Sequence, residues 1–214
     1  MERKPVIFIG GGGHCKSVLQ VAKVLKLNIK EILDIPEKLG QELLGVPIIG
    51  KDDDLKKYLD EGCDAIITIG SVKNNDVRKK KYDDLVGMGF KMSTIISDKA
   101  IISEDVEVGE GTVILNNAVV NASARIGRNC IINTGCIIEH DCVVEDHCHI
   151  APGSILGGGV IVRELGFVGS GAIVKQGVKI ANSSVIGAGS IVLKNTEEYS
   201  IYVGNPAVKI EENL

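Results

Sequence analysis

Three histidines fall within ten residues: His140, His147 and His149. Asp141 follows the first of them, and Cys130, Cys136, Cys142 and Cys148 run through the same stretch. Far upstream, Gly10-Gly11-Gly12-Gly13 leads into His14. A neutral imidazole can accept a proton near physiological pH. Thiols and imidazoles together can hold zinc if they converge at about 2 Å. A glycine run between a strand and a helix can cradle a phosphate on its backbone N–H groups. Which of these chemistries is available depends on how the chain places the residues.

The cysteines belong to a period. Stepping by six from Ile102 gives Val108, Ile114, Val120, Ile126, Ile132, Ile138, Val144, Ile150, Leu156, Val162, Val168, Val174, Ile180, Ile186 and Val192. Every one is aliphatic, and a fixed period is the mark of a repeat architecture. Four residues after each anchor stands a residue no larger than valine, and the four cysteines fill that small slot in successive hexads. Such a chain winds as a triangular coil of three hexads. About five coils, stacked at the ~4.8 Å strand spacing, make a prism roughly 25 Å long. The cysteines then read as small buried hydrophobes, as do Cys15 and Cys63 in the first domain.

The histidines occupy neither slot. His140 and His149 are nine residues apart, half a coil, so they do not stack within one prism. If prisms pack side by side, His140 of one copy can meet groups of another in a cleft. The plainer reading makes His140 and His147 polar surface residues at turns.

Residues 5–95 follow another rule. Apolar runs at Pro5–Ile9, Ile29–Leu33 and Ala65–Ile69 alternate with helical patterns, the last over Asn75–Met88. That alternation predicts a parallel sheet. Gly45–Gly50 reads as an edge strand at best because of Pro47, and Lys51–Leu59 as a helix. Read as G-x-G-x-x-G, the glycine run carries Cys15 at its third position, so the dinucleotide fingerprint is broken. Asp34, 24 residues after Gly10, stands where an acid can contact a ribose. The domains expected are 1–97, a Rossmann-like βαβαβ unit, and 98–214, a left-handed parallel β-helix with a C-terminal tail.

Composition narrows the functions. The 214 residues carry a net charge of −4, against the basic excess of most nucleic-acid binders. Aromatics are 3% with no Trp, while Gly is 26, as an aliphatic stack requires. No run approaches the roughly 18 apolar residues of a membrane span. The apolar run at the N-terminus is too brief for a signal-peptide core, so a cytoplasmic protein is expected.

These pieces together resemble a family: the left-handed β-helix sugar acetyltransferases, grouped with sialic acid O-acetyltransferases and UDP-4-amino-sugar (bacillosamine-pathway) N-acetyltransferases. The resemblance rests on the glycine-His start, Asn74-Asn75-Asp76-Val77-Arg78, Ile138-Glu139-His140-Asp141-Cys142 and Val203-Gly204-Asn205-Pro206-Ala207. It implies that His140 is the general base, supported by Asp141, and that His149 lies near a thioester. It implies acetyl-CoA along the prism between subunits of a homotrimer, lined by Gly158, Ser170 and Ala188. It also implies a nucleotide-sugar held by Gly11, Gly12, His14, Asp34 and Asn75. No metal, nucleic-acid or membrane partner is expected. Arg163-Glu164-Leu165-Gly166 departs from the usual small residue after the anchor and leaves the local coil geometry open. The expected reaction is transfer of acetyl to the amino group of a nucleotide-linked sugar. O-acetylation of sialic acid, a β-helix carbonic anhydrase and a non-catalytic nucleotide-sugar scaffold are the alternatives; the histidine spacing suits the carbonic anhydrase poorly.

Overall fold

The computed structural model describes residues 4–71 and 75–213. Val72 and Lys73, together with Asn74 of the Asn74–Arg78 motif named above, lie outside the described residues.

The first domain is built on β1 (Val6–Ile9), β2 (Ile29–Leu33), β3 (Glu42–Leu43), β4 (Val46–Gly50) and β5 (Asp64–Ile67), in sheet order β3-β4-β2-β1-β5. Helix α1 (Gly13–Val24) connects β1 to β2, α2 (Leu55–Asp60) leads into β5, and α3 (Asp76–Met88) follows β5 on the way to the second domain. Side chains of a strand alternate between faces. Accordingly Val6 and Phe8 pack with Val18, Leu19 and Ala22 of α1, while Ile7 and Ile9 pack with Leu55, Tyr82 and Leu85 on the other side. Two expectations need correction. β4 is not an edge strand: it pairs with β2 in parallel and with β3 antiparallel, because Pro47 stands opposite Glu42 in a ladder only two residues long. The expected helix at Lys51–Leu59 opens as a 3₁₀ turn at Asp52–Asp54 before α2 begins.

From Ile95 onward the chain coils. Two-residue strands recur every six residues, from β6 (Ile95–Ile96) to β22 (Ile191–Val192), and the predicted anchors are the second residues of β7 to β22. The strands form three parallel faces of a left-handed β-helix. The first contains β6, β9, β12, β15, β18 and β21; the second β7, β10, β13, β16, β19 and β22; the third β8, β11, β14, β17 and β20. Anchors point inward and make one core with the small-slot residues, including all four cysteines of the repeat. Burial pushes the Cys136 thiol up to about 12, so it stays protonated. Residues 163–166 do not break the coil: Ile161–Val162 and Phe167–Val168 keep the six-residue register, with Leu165 in the left-handed turn. β23 (Ser200–Gly204) and β24 (Ala207–Glu212) form a hairpin that extends the first face.

The domains share a core. Ile95, Val113 and Leu115 of the first coils pack with α1 residues. Arg78 of α3, 1% exposed, donates to the carbonyls of Ile67 (2.7 Å) and Ile69 (3.0 Å) in the first domain and of Asn129 (3.2 Å) in the β-helix. Burial lowers its pKa to about 10, which leaves it a cation at neutral pH.

Candidate active site

A third period places the candidate base. Every sixth residue from Gly111 to Gly189 adopts a left-handed backbone, and Asp141 is one of them, with φ 61°. Aspartate tolerates that conformation better than most residues. The turn puts its carboxylate beside the preceding side chain: Asp141 Oδ2 is 2.8 Å from His140 Nδ1. This hydrogen bond raises the His140 pKa, against a smaller opposing effect of desolvation. It also leaves Nε2 as the nitrogen available to take a proton. Both side chains are open, 64% and 66% exposed.

The turn of His140 joins β13 (Ile137–Ile138) of the second face to β14 (Val143–Val144) of the third. In a triangular coil that corner lies opposite the first face. His149 projects from β15 (His149–Ile150) on the first face, toward the N-terminal domain. One copy of the chain therefore keeps these histidines apart.

His149 is 7% exposed and its hydrogen bonds can be assigned in sequence. Thr134 N–H donates to Asn133 Oδ1 at 2.8 Å, so the Asn133 amide group faces His149 Nε2, at 3.0 Å. Nε2 then accepts, and Nδ1–H donates to the Ser71 carbonyl at 3.0 Å. Ser71 Oγ in turn donates to Asn75 Oδ1, and Asn75 Nδ2 to the Leu165 carbonyl at 3.4 Å. Burial pulls the His149 pKa down to about 4. The ring is thus a neutral strut between domains, set edge-on to Phe167 at 5.1 Å. Neither nitrogen is left to steady an oxyanion. Asn75, 2% exposed, is part of the same seam.

His147 is not a surface residue. It is 4% exposed, packed on Tyr82 at 5.4 Å and bonded to Asn129 Nδ2 at 2.9 Å. Its left-handed turn faces α3, and packing across the domains buries it. The three histidines accordingly stand in three separate environments.

Two grooves meet at Ser71, His149 and Pro152. One runs down the first face, about 450 Å³, over a floor of Ala151, Phe167, Val185 and Ile201. Ser170 and Ala188 line it, as does Gly187. Gly158 does not: it lies one coil beyond His140 and beneath its ring. The other groove, about 380 Å³, is bordered by Gly13, His14 and Ser17 at the start of α1, with Gly70 and Asn133. His14 Nε2 is buried without a hydrogen-bond partner among the described residues. Burial, then the charges of Arg78 and His149, lower its pKa to about 3.

Across the glycine run lies a third cleft, about 380 Å³, walled by Ile9, Gly10, Pro36, Ile69 and Val77, with Asp34, Lys51, Asp52, Asp53 and Lys81 as charged groups. Asp34 braces the glycine loop. Its Oδ2 accepts from Gly11 N–H (2.5 Å) and Lys38 Nζ (2.8 Å), and its Oδ1 from Ile35 N–H (2.7 Å). Burial works against its ionisation, but these donors together hold its carboxyl below the usual range. A Cβ on Gly11 would stand 3.0 Å from Asp34 Oδ2 and 2.9 Å from Ile48 Cδ1, so a larger residue would push against the Asp34 brace. Gly12 is the N-cap residue of α1.

Residues 5–85 match the family model for the PglD N-terminal domain, and residues 123–158 that for the bacterial transferase hexapeptide (six repeats). The chain superimposes on PerB from Caulobacter crescentus, a complex with CoA and GDP-perosamine, with TM-score 0.90 and 33% identity over 97% of each chain. The chain belongs to the hexapeptide-repeat sugar N-acetyltransferases. A mutant of the perosamine N-acetyltransferase from the same organism, again with CoA and GDP-perosamine, gives TM-score 0.91 and 32% identity over 97% of each chain. The acetyltransferase domain of PglB from Neisseria gonorrhoeae, in complex with acetyl coenzyme A, gives 0.89 and 28% over 97% of this chain and 100% of that one. A comparison with curated proteins found no match. Among the described residues of this N-acetyltransferase, no helix is long and apolar enough to cross a membrane.

What the sequence missed in this N-acetyltransferase is Asn133 and Ser71, the partners of His149. Neither stands in a motif, and the His149–Ser71 contact spans 78 residues of chain.

Proposed function

We propose that the protein transfers the acetyl group of acetyl-CoA to the amino group of a nucleotide-linked sugar of the UDP-4-amino-sugar type, with His140 of an adjacent copy as general base. The observation that carries this reading is the junction at Ser71, His149 and Pro152, where the groove over the first face meets the groove from α1. The first-face groove fits the long, thin, amide-bearing arm of the coenzyme. Its floor is apolar, and Gly169 and Gly187 bring the backbone close: a Cβ on Gly169 would lie 2.7 Å from Ala188 N. Ser170 and Ala188 would line the arm and His149 would bound its reactive end. Acetyl-CoA, when bound, supplies an acetyl thioester.

The clefts beside the glycine run suit the acceptor. Gly12 and the start of α1 offer backbone N–H groups and a helix N-terminus to a diphosphate, while Gly11, whose own N–H is taken by Asp34, holds the loop in shape. Asp34 shapes that loop, and the nucleoside fits the cleft beyond it. His14 borders the sugar side, its Nε2 neutral and without a partner among the described residues. Asn75 acts through Ser71, which it holds in place. Once the acceptor amine attacks, it must lose a proton, and His140 Nε2 takes it. Asp141 fixes the tautomer and favours the imidazolium. Such help is typically worth about 10²–10⁴-fold.

His140 reaches this junction only from another copy. The second face offers the contact: its outward residues Ile101, Val119, Ile137, Ile155, Ile173 and Ile191 stand in register and are all aliphatic. Ile101 and Ile173 are 68% and 41% exposed in one chain. A stripe of this kind marks an interface, and a homotrimer closes it. A cytoplasmic setting fits six unpaired cysteines.

A thiol-release screen with acetyl-CoA against UDP-, GDP- and dTDP-amino-sugars and free sialic acid tests the reading. Release with an amino-sugar nucleotide is expected. Release with sialic acid alone would establish O-acetylation instead, and ligand binding without any release would make the protein a scaffold.

A further inference from the structure

We propose that Gly158 is a positioning residue, the seat on which the His140 ring rests, and that its missing side chain keeps Nε2 open to the attacking amine. The inference rests on His140 being the base. Gly158 follows His140 by one coil, and the two turns are joined by the Gly159 N–H bond to the His140 carbonyl at 2.8 Å. A Cβ on Gly158 would stand 2.7 Å from both Cε1 and Nε2 of His140, and 3.4 Å from Cδ2. Asp141 engages Nδ1 on the ring's other side at 2.8 Å. The imidazole is therefore held between a carboxylate and a bare α-carbon, with its working nitrogen against the bare one.

A methyl group at residue 158 forces the ring to swing. The ring is the exposed end of a flexible side chain, 64% accessible, so the swing costs the fold little. The three nearest atoms a Cβ would meet all belong to that ring, and the backbone of Gly158 is outside the left-handed region. Alanine is accordingly tolerated there by the coil and not by the chemistry, since misplacing a reacting group by about 1 Å can cost about 10²-fold.

The seat also differs from a coenzyme contact, the role the family resemblance implies for this glycine. Removing a coenzyme contact raises KM for acetyl-CoA. Displacing the base lowers kcat and leaves that KM alone.

The experiment compares Gly158→Ala, His140→Ala and the unmodified protein, using acetyl-CoA with GDP-perosamine as the probe acceptor and NMR titration of the His140 ring. In Gly158→Ala the expected results are unchanged thermal unfolding, KM for acetyl-CoA within about twofold, and kcat lower by about 10–100-fold. The ring midpoint should also fall toward about 6.5 as the Asp141 contact loosens. Asp141 and Glu139 are the charged groups acting on that ring. An unmoved titration midpoint overturns the seat, whatever acceptor the enzyme prefers. So does an unchanged kcat, or a raised KM for acetyl-CoA with kcat intact. His140→Ala separates the two ideas: if it keeps full turnover, the base assignment fails; if it is inactive while Gly158→Ala is normal, only the seat fails.

Discussion

His140 and His149 belong to the same stretch of coil yet sit on opposite sides of it, one at the corner between the second and third faces, the other on the first. A triangular cross-section allows no side-chain rotation to bring them together. The proposed site is therefore a composite of two copies, and in that proposal the apolar second face joins them.

That face gives the first prediction. Ile155→Glu places a charge in the middle of the aliphatic stripe without touching the inward anchors. Sedimentation should show monomers in place of trimers. Turnover should fall by at least tenfold, because a monomer has His140 and the groove but never together. Far-UV circular dichroism should be unchanged.

The strut at His149 gives the second. Asn133→Leu removes the donor to His149 Nε2 and leaves a buried acceptor unpaired, a loss of about 1–3 kcal/mol. The melting temperature should drop accordingly. The pH dependence of kcat should not move, since His149 is neutral across the working range.

Stability should depend on pH through the buried histidines. His149 and His14 titrate at about 4 and about 3 in the folded chain, against about 6.5 when unfolded. Below pH 6.5 the unfolded chain binds protons that the folded chain refuses, so stability falls as pH falls. Their contribution is fully present above pH 6.5 and is lost progressively down to about pH 3–4. Chemical denaturation at pH 7, 5.5 and 4.5 should show that decline, and His149→Gln should flatten part of it. His140 behaves oppositely: its raised pKa means that activity climbs with pH through a midpoint above 6.5.

Ala188→Trp fills the first-face groove between Ser170 and the floor. KM for acetyl-CoA should rise by at least tenfold, while binding of the nucleotide-sugar, measured by calorimetry, stays as it was.

Much of this was legible before any coordinates. The aliphatic anchors and the small slot both report the inside of the coil, where one residue type is demanded at one position, and the strands begin and end where they imply. The left-handed turn position was equally present, in Asn117, Ser123, Asn129, Gly135 and Asp141, and it sets the backbone from which Asp141 reaches His140. The fate of His147 was not legible, because its hexad position only says that it lies at a turn. Its burial depends on Tyr82, a residue of the other domain. The strut at His149 was hidden for the same reason: its partners come from different coils and from the loop after β5. Pro47 misled because a penalty for proline inside a sheet is weak when the neighbouring ladder is two residues long.

The composite site is tested most directly by subunit complementation. His140→Ala lacks the base but keeps its groove; Ala188→Trp keeps the base but blocks the groove. With acetyl-CoA held well below the KM of the second variant, each is expected to be nearly inactive alone. Co-expressed, they should form mixed trimers in which about a third of the sites pair an intact base with an intact groove, and acetyl transfer should return. Mixed assemblies as inactive as either parent would contradict the account.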